Sequence, residues 1–526
     1  MKRRTVLTSA VAATAALAAP RLGRADGPKT VTMVPHADLA SIDPVWTTAD
    51  ITRNYSLAVF DTLYAYDAQF KVQPQMAEGE RVTDDGKTVE VILRDGLAFH
   101  DGQKVLARDC ALSIKRFGAR NPFGQALMQR VDEISAPSDK VIRFRLKKPF
   151  PLLTAALGQV YCAIMPERLA LTDPPKQIPE AIGSGPFKFM ADERVPGSRV
   201  VFSKNTAYVP RASGTPSFNA GPKIVHIDRA VWTFIPDPAT ASAALQQGEI
   251  DWWENPSLDL VPQIRTYKDV TMTVKDRTGE IGCLRFNQLH PPFDSAAIRR
   301  VALQAIDQKE VMEAVCGAEP SLFMVDTGLF VPGTPMASTA GIEITRAPKD
   351  YGKLKKELAA AGYDGRKIVV LAATTIPTIW AQSQVASDML SKAGFNIDLQ
   401  PMEWGSVVQR RANMEPVDKG GWNIFFTWLG GFGNISPAPN IAIRGNGKAA
   451  WFGWPTNAKI EELWAAWFEA PDEAAQKKIC EDMQLAFWQD PTFVPTGMYD
   501  QPTAFKTYMK DIPEGWPQFY TLTKGV

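Results

Sequence analysis

Histidine and cysteine side chains are the ones in this chain best suited to metal binding or nucleophilic chemistry, and their spacing favours neither. There are only four histidines and five cysteines. No histidine lies four residues from another, and neither H-E-x-x-H nor a C-x-x-C pair occurs. The nucleophile motif G-x-S-x-G is also absent, because the segment Gly183-Ser184-Gly185 lacks its spacing. We therefore expect no catalytic residue, no metal site built by the protein and no cofactor.

The motifs that bind nucleotides are missing as well. No G-x-x-x-x-G-K-[ST] sequence occurs, and Gly431-Phe432-Gly433 is followed by Ser436 where a dinucleotide-binding motif needs a third glycine. The 58 basic and 57 acidic residues leave no basic block beyond the first 25 residues. We therefore expect neither nucleic acid nor an anionic membrane surface as a partner.

Fourteen tryptophans are the stronger chemical signal, and the function that they indicate is binding. An indole ring offers a large, flat contact area at low entropic cost and stacks on sugars, aromatic groups or peptide side chains. Core packing is the alternative for each ring, and helical spacing favours it for Trp464, Trp467 and Trp488. The cysteines also leave two interpretations open: one or two disulfides in an oxidising compartment, or five small buried apolar side chains.

Alternating strands and helices position these residues, which predicts an α/β fold. Valines at 89 and 91 and a leucine at 93 alternate after a turn at 84–86, and this predicts a hairpin over 80–101. Asp294 and Asp350 are expected to cap helices. A strand over 367–373, a helix over 382–393 and a strand from 395 form a βαβ unit with parallel pairing. Two further helices are predicted at 461–468 and 473–488.

Residues 1–25 have the order of a secretory signal peptide. Basic residues at 2–4 precede an uncharged stretch, and small residues at 23 and 25 mark a cleavage point. Arg3-Arg4 resembles a twin-arginine export signal, and an ordinary Sec signal is the alternative. The uncharged stretch is about 14 residues long, short of the roughly 20 that span a bilayer. The mature chain is expected to begin near Asp26, to work in a periplasm, and to form two or three domains.

Seven segments along the chain resemble, in order, the motifs of one known family. They include A-L-Q-Q-G-E-I-D at 244–251 and G-S-G-P-F at 183–187, and together they cover nearly the whole mature chain. The segments lie at 41–44, 59–63, 74–78, 88–102, 183–187, 244–251 and 286–307. On these motifs the chain resembles the extracellular solute-binding proteins of ABC transporters, family 5, the dipeptide, oligopeptide and nickel group.

The resemblance implies a periplasmic-binding-protein-like clamshell of type II, with two lobes and a family-specific extra subdomain. Lobe I would comprise residues 26–75, 183–281 and 491–526, the subdomain 76–182, and lobe II 282–490. A small peptide-like or other organic solute would be held between the lobes and delivered to a membrane permease with its ATPase. The protein would be a monomer and not an enzyme. A metal-chelate or haem carrier of the same fold is the alternative, and a secreted hydrolase is a more distant one.

The resemblance also implies which residues line the cleft. The family's ligand loop corresponds to 425–432, which contains Trp428, Leu429, Gly430, Gly431 and Phe432. Other cleft candidates in matching segments are Trp404, Asn287, Trp46 and His36. The alternative for the glycine-rich loop is a tight turn without ligand contact, and for the tryptophans it is core packing. For Asn287 the alternative is a hinge hydrogen bond, and for His36 it is a solvated loop.

Gly431 departs from the family pattern. Peptide binders of the family have an aspartate there that anchors a free ammonium, and no aspartate follows in this chain before Asp472. A buried ammonium without a partner would cost several kcal/mol, so the sequence disfavours a free-amine dipeptide as the ligand. Arg285 and Arg444 are candidates for holding an anionic ligand, with exposed salt bridges as the alternative.

Overall fold

A computed structural model describes residues 29–317 and 319–525 of the chain, so the predicted export segment lies outside the described residues. The strands, numbered in chain order, are β1 Thr30–Val34, β2 Tyr64–Tyr66, β3 Val72–Pro74, β4 Ala77–Thr83, β5 Thr88–Leu93, β6 Val131–Ser138, β7 Val141–Leu146, β8 Phe187–Phe189, β9 Arg199–Lys204, β10 Arg229–Thr233, β11 Trp252–Trp253, β12 Val270–Val274, β13 Glu280–Phe286, β14 Phe323–Met324, β15 Lys367–Ala373, β16 Asn396–Met402, β17 Ile424–Gly430, β18 Phe493–Tyr499, β19 Pro502–Lys506, β20 Met509–Lys510 and β21 Thr523–Lys524. The α-helices are α1 Asp50–Val59, α2 Ala107–Arg120, α3 Pro122–Arg130, α4 Leu153–Leu157, α5 Glu167–Ala170, α6 Pro238–Gln247, α7 Val261–Ile264, α8 Ala296–Ala305, α9 Gln308–Cys316, α10 Glu343–Arg346, α11 Tyr351–Ala360, α12 Pro377–Lys392, α13 Trp404–Arg410, α14 Ala458–Trp467 and α15 Glu473–Gln489.

Three larger sheets organise the described residues. The first sheet has seven strands in the order β12-β19-β11-β1-β10-β9-β8, and β1 runs parallel to both of its neighbours. The second sheet has six strands in the order β14-β18-β13-β17-β15-β16. The third is the antiparallel sheet β4-β5-β7-β6. Helices and strands therefore mix as expected for an α/β fold, and no helix in the described ranges has the length and apolar character needed to cross a bilayer.

Two chain crossings join the first and second sheets. Strand β12 leads into β13 through residues 275–279, and β18 leads into β19 through Asp500 and Gln501. The predicted lobe boundary at 281/282 falls inside β13, and β18 pairs in the second sheet although residues 491–526 were assigned to lobe I. The division into lobes stays a prediction, with its strand crossings now located at 275–279 and 500–501.

Most of the predicted local elements are found, and three differ at their ends, among them α14, which spans Ala458–Trp467 and not 461–468. The hairpin β4–β5, the parallel pair β15–β16 and the Asp350 cap of α11 are confirmed. Helix α8 is capped by Ser295 and not by Asp294, because the Ser295 hydroxyl accepts the N–H of Ile298. Helix α12 begins at Pro377, five residues before the predicted start, since proline suits the first helical turn.

The third sheet and helices α2–α5 form one unit, which we call the subdomain. A buried ion pair ties it to the N-terminal segment that follows β1: Arg116 on α2 donates to both carboxylate oxygens of Asp43, at 3.0 and 2.8 Å. Both side chains are at most 1% exposed. All five cysteines are buried free thiols, two of them, Cys110 and Cys162, in this unit. Burial raises the pKa of these thiols, so the buried apolar interpretation of the cysteines fits the structure.

Candidate functional site

A cavity of about 1500 Å³, including its open mouth, lies between the first and second sheets next to both chain crossings. From the side of the first sheet it is lined by His36, after β1, and by residues of α1 and β11. From the side of the second sheet it is lined by the ends of β17 and β18 and by the start of α12. The subdomain adds residues 159–161. Small-molecule sites are concave and favour such junctions between units.

Aromatic rings form much of the cavity wall. Trp428 is held in place because its indole N–H donates to Thr378 Oγ1 at 2.9 Å and its ring lies 4.6 Å from that of Tyr499. Trp404 begins α13 and is 7% exposed. The remaining aromatic wall residues are Tyr161, Trp252, Phe432, Trp451 and Trp516. Flat surfaces of this kind favour a ligand with planar or apolar parts.

Six of the nine predicted cleft residues line the cavity. They are His36, Trp404, Trp428, Leu429, Gly430 and Phe432. Strand β17 and the turn after it bring the last four there together. Whether these residues contact a ligand stays a prediction, which their position supports.

The other three predicted residues lie outside the cavity lining. Asn287 is fully buried beside β13, where its amide donates to the Trp422 carbonyl at 2.9 Å and its oxygen accepts the Leu289 N–H. Trp46 turns towards the subdomain, and its indole N–H donates to the Pro175 carbonyl at 3.0 Å. Both side chains have their polar groups satisfied within the protein, which corrects their predicted placement.

Gly431 is the third, and its surroundings explain why no aspartate stands there. A Cβ atom at this position would lie 1.9 Å from the carbonyl oxygen of Thr278, and the Gly431 N–H donates to Gly279 at 2.7 Å. The glycine therefore packs directly against the 275–279 crossing, where a side chain would clash with the backbone. The neighbouring strand supplies a carboxylate instead, because Glu280 on β13 lies directly opposite Gly430 in the sheet register.

Four carboxylates line the cavity, and three of them have partners. Asp50 pairs with Arg53 at 2.8 Å, Glu254 lies 2.9 Å from the ring of His36, and Asp276 accepts hydrogen bonds from Thr278. In the described part of the chain, Oε2 of Glu280 is buried without a hydrogen-bond partner. Burial, together with the nearby charge of Asp50, raises the pKa of Glu280 well above its usual range.

His36 lines the cavity and contacts Glu254. Burial alone would lower the pKa of His36, but the charge of Glu254 and its hydrogen bond outweigh burial, so the pKa is raised. The Nδ1 atom of His36 and its backbone N–H both approach Oε2 of Glu254, at 2.9 and 2.8 Å. The carboxylate thereby holds the ring in position at the cavity edge.

Arg411, the residue after α13, was missed by the sequence reasoning. Its side chain is 2% exposed, and Nε and Nη2 have no hydrogen-bond partner among the described residues. The guanidinium carbon lies 4.8–5.8 Å from the ring centroids of four aromatic residues, Trp404, Phe425, Trp451 and Phe452. Burial lowers the pKa of Arg411 to about 10. A cation in this aromatic cage is available to an anionic group in the cavity.

The two arginines proposed from the sequence have structural roles. Arg285 is fully buried and donates to the carbonyl oxygens of Phe452, Ala442 and Thr492 at 2.7–3.1 Å. Arg444 forms a two-bond pair with Glu461 at 2.7 and 2.8 Å. Neither arginine lines the cavity.

A second cavity of about 550 Å³, the side chamber, adjoins the first. The two cavities share His36, Asn255, Ile376, Thr378 and Gln501. Five prolines line the side chamber, and no Asp, Glu, Lys or Arg does. The chamber is therefore suited to an uncharged, apolar group that extends past His36.

Two bodies joined by two strand crossings, with an aromatic-lined cavity between them, define the class of protein: one that binds a molecule in that cavity. Among the described residues no group of three or more His, Cys, Asp or Glu could hold a metal ion. The side chains that face the cavity are suited to holding a molecule.

Comparison with known proteins gives the family. Residues 71–450 match the family model for bacterial extracellular solute-binding proteins, family 5. The chain is 37% identical, over the full length of both proteins, to the "Probable peptide ABC transporter periplasmic-binding protein y4tO" of Sinorhizobium fredii. The chain therefore belongs to the family 5 solute-binding proteins of ABC transporters, which confirms the predicted recognition and the predicted class of function.

Solved structures support the fold. The binding protein AgaA of A. tumefaciens R10, in complex with agropinic acid, superposes with a TM-score of 0.78 at 20% identity over 94% of this chain and 99% of that one. DppA of Helicobacter pylori, in complex with the peptide STSA, gives 0.76 at 19% identity over 94% and 98%. The predicted periplasmic-binding-protein fold is confirmed by these matches.

Proposed function

We propose that this protein captures a small zwitterionic, peptide-like molecule in the periplasm and delivers it to a membrane permease with its ATPase. It acts as a monomer and without catalysis. The observation that carries the proposal is the presence, in one cavity, of Glu280 and Arg411, whose Oε2 and whose Nε and Nη2 atoms are buried without a hydrogen-bond partner among the described residues. A molecule that brings an ammonium and a carboxylate satisfies both groups at once.

The energetics of burial support this class of ligand. An isolated charge taken out of water costs several kcal/mol, and an oppositely charged hydrogen-bonding group offsets that cost. The ligand ammonium lies at Glu280, and its carboxylate lies in the cage of Arg411. Gly431 has no carboxylate to pair with a ligand ammonium, but Glu280 reaches the same region from the adjacent strand. The names of the 37% identical relative and of the DppA complex, both peptide-related, favour the same class.

Closure of the two lobes about the crossings at 275–279 and 500–501 completes the site. A ligand that contacts both lobes binds the closed state more tightly than the open one and so shifts the population towards closure. The apolar part of the ligand occupies the side chamber, and its planar groups stack on Trp404 and Trp428. Because the relative at 37% identity is named for peptide transport, a metal-chelate or haem carrier is not favoured. A hydrolase is not favoured either, since the family is one of transport proteins.

The proposal is tested by identifying what the protein carries. Native mass spectrometry of the protein purified from its own periplasm is expected to show a bound molecule that has both an amine and a carboxylate. Rebinding of the released molecule to ligand-free protein is expected to reduce the radius of gyration in X-ray scattering. A co-purified metal chelate, a haem, or a ligand without a cationic group would contradict the proposed class, and an unchanged radius would contradict closure.

Ligand binding is expected to release a proton from Glu280. Burial raises the pKa of this carboxyl well above its usual range in the ligand-free protein, and a bound ammonium favours the ionised form. Affinity should therefore increase as the pH rises towards that pKa. Calorimetric titration with the released ligand, in buffers of different ionisation enthalpy, measures the number of protons released.

The variant Glu280→Gln removes this proton release and is expected to weaken binding by about 10- to 100-fold. Glu249→Gln is the matched control, because Glu249 is exposed and lies outside the cavity. Equal proton release by wild type and Glu280→Gln would show that another group is responsible.

A further inference from the structure

A contact far from the cavity joins the subdomain to the second body, which is the second sheet with its packed helices. Glu469, just after α14, accepts from Arg130 Nη2 at 2.6 Å and from Lys148 Nζ at 2.7 Å through the same oxygen, Oε1. Arg130 ends α3 and Lys148 follows β7, so both cations belong to the subdomain. These hydrogen bonds with Lys148 and Arg130 lower the pKa of Glu469, which keeps the carboxylate charged at neutral pH.

Aromatic rings surround this ion triad. The Arg130 guanidinium carbon lies 5.1 Å from the ring centroid of Phe150 in the subdomain and 5.0 Å from that of Phe468 in the second body. The rings of Phe150 and Phe468 are 5.9 Å apart. Phe123 of α3 also approaches Phe468, at 6.2 Å. Arg130 is thus placed between two rings that belong to different units of the molecule.

These two attachments of the subdomain, among several, differ in burial. Its pair with the N-terminal segment, Asp43–Arg116, is at most 1% exposed and makes two hydrogen bonds. In the contact with the second body, Arg130 is 8% exposed, but Glu469 is 47% exposed and Lys148 is 52% exposed. Separating Asp43 from Arg116 would leave a buried charge without a partner. Glu469 and Lys148, in contrast, become solvated when the second contact separates. The first attachment is therefore permanent, and the second is suited to forming and breaking.

We propose that this contact is a latch that holds the closed state. The subdomain moves with the first sheet, and the latch of Glu469, Arg130, Lys148, Phe150 and Phe468 forms when the second body swings towards it. None of the five residues lines the cavity. The latch sets the closed-to-open ratio without contacting the ligand and makes that ratio sensitive to salt. The inference rests on the proposed closure of the lobes.

The test measures the closed-to-open ratio directly in ligand-free protein. Spin labels are attached at Val82→Cys in the third sheet and at Lys356→Cys on α11, both exposed positions. The five native thiols are buried, so labelling is confined to the introduced cysteines. Pulsed electron–electron double resonance then gives the distance distribution for the labelled wild type, for Glu469→Gln and for the control Glu462→Gln. Glu462 lies on α14, which ends just before Glu469, and its ion-pair partner among the described residues is Lys459 of the same helix, at 2.8 Å.

Glu469→Gln is expected to lower the ratio of the short to the long distance by about three- to tenfold, and Glu462→Gln to leave it unchanged. In about 1 M salt, where the screening length is about 3 Å, the wild-type ratio should approach that of Glu469→Gln. An unchanged ratio in Glu469→Gln overturns the latch. So does a fall in unfolding temperature without a change in ratio, which would make the contact a fixed part of the fold. A single distance in all three proteins, with and without the released ligand, would instead overturn lobe closure.

Discussion

Replacing Arg411 with glutamine is expected to weaken ligand binding by roughly 30-fold or more while leaving the ligand-free protein at least as stable as the wild type. The Arg411 guanidinium is buried in an aromatic cage without a hydrogen bond or an ion pair among the described residues. It therefore destabilises the empty protein and binds an anion tightly. Loss of a desolvated charge partner costs about 2–5 kcal/mol of binding free energy, which corresponds to a roughly 30-fold or larger loss of affinity.

Two measurements check this result. Calorimetry with the ligand released from the wild-type protein gives the affinity, and thermal unfolding of ligand-free protein gives the stability. Native mass spectrometry of the variant purified from the periplasm should show that most molecules are empty. If Arg411→Gln bound the ligand with wild-type affinity, the aromatic cage around Arg411 would have no role in ligand binding.

Arg285→Gln is the matched control, because Arg285 is an equally buried arginine with a different environment. Its guanidinium satisfies several backbone carbonyl oxygens, and unsatisfied buried acceptors cost about 1–3 kcal/mol each. This variant is expected to lose stability, and its folded fraction should keep the affinity for ligand. The two variants thus distinguish an arginine that stabilises the fold, Arg285, from one that binds the ligand, Arg411.

Part of the aromatic wall and His36 could be predicted from the sequence, whereas Glu280 and Arg411 could not. Trp428, Leu429, Gly430 and Phe432 follow one another in the chain, so one strand and its turn carry them together to the cavity. A local motif with a defined conformation is sufficient for such a prediction. Asn287 shows the limit, because its segment runs beside the cavity while the amide turns inwards to Trp422.

Arg411 and Glu280 can be recognised as candidate binding residues only in the structure, because buried polar atoms of both side chains have no hydrogen-bond partner among the described residues. An arginine or a glutamate is ordinary in sequence, and its state depends on whether a partner lies within reach across the fold. Arg444 finds Glu461 and Arg285 finds backbone carbonyls, whereas Arg411 finds only rings. Long-range pairing of this kind depends on the relative placement of several elements, which periodicity and capping do not determine.

Gly431 illustrates a related limit. A missing aspartate in the expected segment indicated that a free ammonium would have no partner. In the sheet, however, β13 lies beside β17 and places Glu280 opposite Gly430. The pairing of these strands, 150 residues apart in sequence, decides which carboxylates reach the cavity, so a conclusion drawn from neighbours in sequence was incomplete.

Replacing Asp43 with asparagine is expected to destabilise the protein by about 3–5 kcal/mol, the usual result of removing one partner from a buried ion pair. Besides Arg116, the Asp43 carboxylate accepts the backbone N–H groups of Val45, Trp46 and Ile178. An asparagine keeps the shape but leaves Arg116 without a counter-charge and presents an N–H₂ group to other donors. Denaturant unfolding followed by tryptophan fluorescence measures the loss.

Asp132→Asn is the control, because the Asp132–Arg145 pair is exposed on the third sheet and its loss should change stability by no more than about 0.5 kcal/mol. Asp43 lies in the S-I-D-P motif that resembles the family's opening turn, so we expect that motif to attach the subdomain.

The same variant, Asp43→Asn, also tests a premise of the latch. If Asp43–Arg116 is the permanent attachment, its loss should let the third sheet unfold before the first, which hydrogen exchange would detect. A small, uniform loss of stability would instead mean that the subdomain is held mainly by apolar packing, and the contrast between a fixed and a releasable attachment would lose its basis.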